Sequence, residues 1–277
     1  MNGFEVIGQV LAREMDAHDS IHLVGEALPL SGAAAAMLSA HPERCHLLPA
    51  ADATLIGVAI GLALSGRTPV VELSSADALW GALQQLGQET AALAGEFRST
   101  LVIRVPMGPD SPSPIPLLQS IPHVAVASPS SAAEAGALLN AALNSSGVTV
   151  LLEPIGILGT SGGAAAEATL GKACVVEAGE HITLAAWGTG VQKATEAART
   201  LAQDGISAEV IDLRSLAPLD TQTLGASVHK TGRLILVDGG TEMLSIATRH
   251  CFLRLESPPA LANAETIISK ARAAVNY

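Results

Sequence analysis

Short β-branched runs alternate along the chain with Ala- and Leu-rich stretches of helical length. The runs in the first half are Ile21-His22-Leu23-Val24, Pro69-Val70-Val71-Glu72-Leu73, Thr100-Leu101-Val102-Ile103-Arg104-Val105, Val124-Ala125-Val126 and Val148-Thr149-Val150-Leu151-Leu152. They are apolar on both faces, which predicts strands of a parallel sheet covered by helices on both sides. Helices are predicted over 5–17, 52–65, 77–94 and 131–144, the last opening with the capping-box pattern Ser131-Ala132-Ala133-Glu134. From Pro154 to Glu177 the pattern dissolves into glycines and alanines, the composition of an interdomain connection. A second set then begins, with strands over 182–186, 208–211 and 233–237 and helices over 191–203, 219–229 and 264–275. Val191, Ala194, Ala198 and Leu201 share one helix face, so this set is expected to have its own core. The expected fold class is α/β, in two domains that are each a mostly parallel sheet covered by helices. The expected boundaries are 1–158 and 178–277, with 159–177 as linker.

Composition narrows the function classes. Of 277 residues, 49% are apolar and 15% charged, against about 25% charged in an ordinary globular domain, so a large core is within reach and disorder is excluded. A net charge of −11, with three Phe, two Trp and one Tyr, leaves neither a phosphate-tracking surface nor base-stacking platforms, which argues against a nucleic-acid partner. The longest apolar stretch, Ala53 to Leu64, is closed by Ser65-Gly66-Arg67. It falls short of the roughly 20 residues of a membrane span, reads as a buried helix, and makes a membrane partner unexpected. Met1 to Val6 lacks the basic patch and apolar core of a signal peptide, so the expected location is cytoplasmic. Cys45, Cys174 and Cys251 are odd in number and far apart, which suggests neither a disulfide framework nor zinc.

Motif-level signals are sparse. The turn Trp187-Gly188-Thr189-Gly190 offers backbone N–H groups to a phosphate, but the third glycine of a dinucleotide fingerprint is missing, and a purely geometric turn is the stronger reading. His41, Cys45 and His46 sit in a polar stretch with only Glu43 as a further ligand, which reads as a solvated loop rather than a metal site. His123 stands at the entrance to a strand, as an edge residue or, alternatively, reaching a cleft. Asp52 falls where an apolar helix starts. There it either caps free N–H groups or, desolvated, becomes a proton-transfer group.

The second half tips the balance. Ile182 to Gly190, then Gly205-Ile206-Ser207-Ala208-Glu209-Val210-Ile211-Asp212-Leu213-Arg214-Ser215-Leu216-Ala217-Pro218-Leu219-Asp220, then Lys230 to Asp238, closely resemble the C-terminal domain of transketolase-like enzymes. The first half resembles the family's pyrimidine-binding domain through Gly25-Glu26, the Asp52 segment, Gly57 to Leu64, Pro69-Val70-Val71-Glu72 and Leu101-Val102-Ile103-Arg104. Nearly the whole chain takes part, and the nearest likeness is to β subunits of 2-oxo acid dehydrogenase decarboxylase components of the pyruvate dehydrogenase type.

The resemblance implies thiamine diphosphate as cofactor, with Asp52 in the place of a glutamate that hydrogen-bonds N1′ of the aminopyrimidine. It implies a shorter reach for that carboxylate, and a misplacement of about 1 Å costs on the order of 10²-fold in rate. Ala78 stands where the family has a phenylalanine stacked on the pyrimidine, and Trp80, two residues on and about 200° round a helix, is the substitute ring at hand. Glu26 either reaches the cofactor or merely ends a strand. The loop from Met107 to Pro114 lacks the family's histidine, and the tail after Asp238 is abbreviated. The motif that binds Mg²⁺ and diphosphate belongs to the α subunit in two-subunit relatives, so the resemblance implies an α-type partner and an α2β2-like assembly. The implied activity is cleavage of a 2-oxo acid or ketose donor and transfer of the acyl or ketol unit, as an oxidoreductase component, transferase or carboligase. The alternative is a cofactor-free structural partner with the same fold.

Overall fold

The computed structural model describes residues 1–26, 37–49, 52–92, 99–109, 111, 113–162, 167–237, 255–256 and 263–275. Two units, Met1–Leu170 and Gly171–Tyr277, each have their own core. In the first, the described elements are α1 (Gly3–Ala17), β1 (Ile21–Glu26), a 3-10 turn (Pro42–Arg44), β2 (Cys45–Leu48), α2 (Asp52–Leu64), β3 (Thr68–Glu72) and α3 (Ala76–Ala92). They continue with β4 (Thr100–Met107), α4 (Ile115–Gln119), β5 (Val124–Ala127), α5 (Ala132–Leu143), β6 (Gly147–Pro154) and α6 (Ile155–Leu158).

All pairings among these strands are parallel, in the spatial order β5-β6-β4-β3-β1-β2. Every residue of β1 and all but the first of β6 are buried, as a sheet covered on both faces requires. The helix α1 begins with a complete capping box. The Asn2 side chain accepts from the Glu5 N–H at 3.0 Å, and the Glu5 carboxylate accepts from the Asn2 N–H at 2.9 Å. The stripe Ile7, Leu11 and Met15 is fully buried. The box expected at Ser131 is half formed: Ser131 Oγ accepts from the Glu134 N–H, but the Glu134 carboxylate turns to Ser130. The helix α2, expected to be buried, buries only the face of Leu55, Ile56, Ala59, Ile60 and Ala63, and Leu64 is 58% exposed. The reason is geometric: a helix lying on a sheet has only one side against it.

The second unit contains β7 (Cys174–Glu177), β8 (Ile182–Ala186), α7 (Thr189–Gln203), β9 (Ala208–Asp212), β10 (Ser215–Ala217), α8 (Thr221–Thr231), β11 (Leu234–Leu236), β12 (Leu255–Glu256) and α9 (Ala264–Val275). Its sheet runs β12-β11-β8-β9-β7, parallel except for β7, which lies antiparallel to β9. The strand β7 falls within the span read as a linker. Val191, Ala194, Ala198 and Leu201 are buried together as their spacing predicts. Asp220 caps α8 by accepting from the Thr223 N–H and hydroxyl, and Gly232, at φ 67°, ends that helix.

Candidate active site

The order of the first sheet turns at β1: the chain moves outward from β1 to β2, then returns on the other side of β1 to form β3. In open parallel sheets, ligands bind outside the carboxyl ends of the strands at such a reversal. Glu26 ends β1, Glu72 ends β3, and Asp52 opens α2 four residues after β2 ends. Two strands thus end in buried glutamates at one edge of the sheet, and α2 begins beside them. Glu26 is 5% exposed, and its Oε1 accepts from Ser74 Oγ at 2.9 Å, which ties the end of β1 to the segment after β3. Ser75 Oγ then accepts from the Ala78 N–H, starting α3.

Beside this crevice lies a charge cluster that the resemblance left without a role. Arg104 on β4 donates through Nε to Glu153 Oε1 at 2.9 Å and through Nη2 to Glu153 Oε2 at 2.8 Å. Its Nη1 is 3.3 Å from Glu72 Oε2. The three side chains are 2%, 3% and 9% exposed for Arg104, Glu153 and Glu72. Burial alone would lower the Arg104 pKa, but Glu153, and after it Glu72, outweigh it and hold the guanidinium above its ordinary value. One signal could have found the cluster: each member interrupts an otherwise apolar strand, as in Leu101-Val102-Ile103-Arg104-Val105 and Leu151-Leu152-Glu153.

The expected site residues are placed as follows. Asp52 is the first residue of α2, and its side chain lies outside the described residues. Ala78 is buried at 6% exposure, and Trp80 is 39% exposed. Two positions on a helix differ by about 200°, so the indole points away from Ala78. His123 lies at the amino end of β5, on the opposite edge of the sheet from the crevice, with φ 63°. The stretch read as a solvated loop is the strand β2 in part. Cys45 is buried there, and His46 stacks on His22, the rings 4° from parallel and Nε2 2.8 Å from His22 Nδ1. Among the described residues, no three His, Cys, Asp or Glu converge as a metal site. The residues 159–163 also spell GxSxG, but Ser161 follows α6 and bridges Asn2 rather than standing on a strand-to-helix elbow. In the second unit Gly188 (φ 52°) makes the turn into α7, which requires a glycine.

The crevice fits the pyrimidine end of a thiamine-type cofactor and not its diphosphate end. Its described groups are the carboxyl of Glu26 and the small side chains Ser74, Ser75, Ala76 and Ala78, while the guanidinium beside it, Arg104, is buried and already faces two carboxyl groups. Carboxyl groups suit a protonatable ring nitrogen, and they repel phosphate.

The fold and this edge define a two-unit α/β protein of the transketolase type. The family model described as "Transketolase, pyrimidine binding domain" matches residues 1–159, and "Transketolase, C-terminal domain" matches residues 171–272. The chain belongs to this transketolase-like family of thiamine diphosphate enzymes, together with the β subunits of 2-oxo acid dehydrogenases. It is 29% identical to the pyruvate dehydrogenase E1 component subunit beta of Acholeplasma laidlawii, over 92% of this chain and 86% of that one. It is 30% identical to the acetoin:2,6-dichlorophenolindophenol oxidoreductase subunit beta of Cupriavidus necator, over 87% and 80%. The 2-oxoisovalerate dehydrogenase subunit beta of Pseudomonas aeruginosa is 32% identical, over 76% and 70%. A split-gene transketolase solved as an inactive β4 tetramer shares the fold with TM-score 0.82 at 20% identity, over 100% of this chain and 98% of that one.

Proposed function

We propose that this chain is the β-type subunit of a split thiamine diphosphate enzyme, active with an α-type partner in an α2β2-like assembly. The observation that carries the reading is the hydrogen-bonded Glu26–Ser74 pair at the β1/β3 reversal, with Asp52 entering the same edge from β2. In this reading the chain supplies the pyrimidine side of the site. Asp52 accepts from the ring nitrogen, Ala78 leaves the ring face open, and Trp80 takes no part in stacking. The partner holds the diphosphate and Mg²⁺, since the crevice offers acidic rather than free basic groups. When bound, the cofactor supplies the electron sink for cleaving the bond next to a carbonyl. The donor is a 2-oxo acid or a ketose, and the acyl or ketol unit passes to an acceptor, so the protein acts as a dehydrogenase component, transferase or carboligase in the cytoplasm.

A second reading is favoured by one observation: Ala78 carries no ring, and the nearby indole faces away. On it, the chain is a structural partner that keeps the fold without the cofactor. Native mass spectrometry of the complex from its host, followed by calorimetric titration of thiamine diphosphate with Mg²⁺, separates the two. The split-enzyme reading expects saturable binding, and activity lowered by at least about 10²-fold in Asp52→Ala. No binding at excess cofactor supports the structural partner, and full activity in Asp52→Ala removes the role of Asp52.

A further inference from the structure

The buried cluster Glu72–Arg104–Glu153 joins three adjacent strands at the carboxyl edge of the sheet. Burying such a triad costs desolvation energy, and well-packed hydrophobic side chains of similar volume hold a fold about equally well. Bulk stability therefore does not account for it, whereas its connections do. Arg104 grips Glu153 with two nitrogens and faces Glu72 with the third. Its own carbonyl accepts from the Leu73 N–H at 3.1 Å, one residue beyond the end of β3. The next residue, Ser74, donates to Glu26, and Ser75 takes the Ala78 N–H. A continuous path of polar contacts thus runs from β6 through β4 and β3 to β1, and it ends on the residues that form the crevice.

We propose that Arg104 is a positioning residue: by clamping the ends of β3 and β6 through Glu72 and Glu153, it sets Ser74 and the first turn of α3 against Glu26. The consequence for cofactor affinity rests on the function proposed above; the consequence for local order does not. The planar guanidinium can serve two carboxyl groups at once, and a lysine head cannot reproduce that fork.

The test uses two variants of the full chain. Glu72→Leu/Arg104→Met/Glu153→Leu replaces the whole cluster by apolar side chains of similar volume, so the global unfolding midpoint is expected to stay near wild type. Hydrogen exchange over 73–78 is expected to speed up by about tenfold, from loss of the buried ion pair that holds the end of β3, while α5 is unchanged. Arg104→Lys, which keeps the charge, is expected to show a smaller increase over the same segment. Exchange over 73–78 within about twofold of wild type in both variants overturns the proposal. So does acceleration spread equally over α5, because that marks a merely structural role. In the partner complex, the neutralised variant is expected to bind thiamine diphosphate about tenfold more weakly. If the wild-type complex binds none, the proposed function fails, while the exchange experiment still decides the role of Arg104.

Discussion

Gly179→Ala isolates a single close approach in the second unit. A Cβ at this buried position would lie 2.2 Å from the Ala208 carbonyl carbon, 2.3 Å from the Glu209 nitrogen and 2.5 Å from the Ala208 oxygen, against ordinary contacts of 3.4 Å or more. All three neighbours are backbone of β9, which is paired on one side with β8 and on the other with β7, so the strand cannot yield. The turn must move instead. That motion stretches the Glu180 and His181 N–H bonds to the Ser207 carbonyl, 3.2 and 2.8 Å, and the contact from the Gly179 N–H to Glu209. Two weakened backbone hydrogen bonds at about 1 kcal/mol each, with about 1–3 kcal/mol of overpacking strain, give a loss of roughly 3–5 kcal/mol. The lower unfolded-state entropy of alanine returns about 0.4–1 kcal/mol, leaving a net destabilisation near 3 kcal/mol. Each unit has one tryptophan, Trp80 and Trp187, so urea unfolding followed by Trp187 fluorescence in a Trp80→Phe background reads the second unit alone. A loss below about 1 kcal/mol there would falsify the argument that β9 is too rigid to give way.

Gly136→Ala would put a Cβ 2.5 Å from Val6 Cγ1 where α1 crosses α5. The gain of about 1 kcal/mol in helix propensity offsets part of 1–3 kcal/mol of overpacking, so the first unit should lose about 1 kcal/mol by denaturant titration, clearly less than Gly179→Ala costs the second. Acidification should weaken the first unit. Burial, then His46, Arg67 and Arg44, push the His22 pKa below its ordinary 6.5, with Glu43 opposing. The unfolded chain thus binds the proton more tightly, and stability present above 6.5 is lost as the pH falls from there through the lowered folded-state value. His22→Phe should flatten the slope of the thermal midpoint over that range, and an unchanged slope would assign it to another group.

The chain's periodicities were enough to predict the framework. Uninterrupted apolar strands need cover on both faces, and the stripe of Val191, Ala194, Ala198 and Leu201 needs a core beneath it; both requirements are local and survive any tertiary arrangement. Family likeness marked Glu26 and Asp52 as candidates for the same reason, since each lies inside a contiguous stretch of matching residues. Other features depended on spacing across the sheet, which no local window contains. Strand β2 reads as a polar loop because its hydrogen bonds come from β1, and His22 meets His46 only once those strands lie side by side. Arg104 and Glu153 are 49 residues apart in sequence, yet they meet because β4 and β6 pair in register. The partner at the far end of a hydrogen bond decides whether a buried charge is a cost or a clamp, and only the tertiary structure supplies that partner.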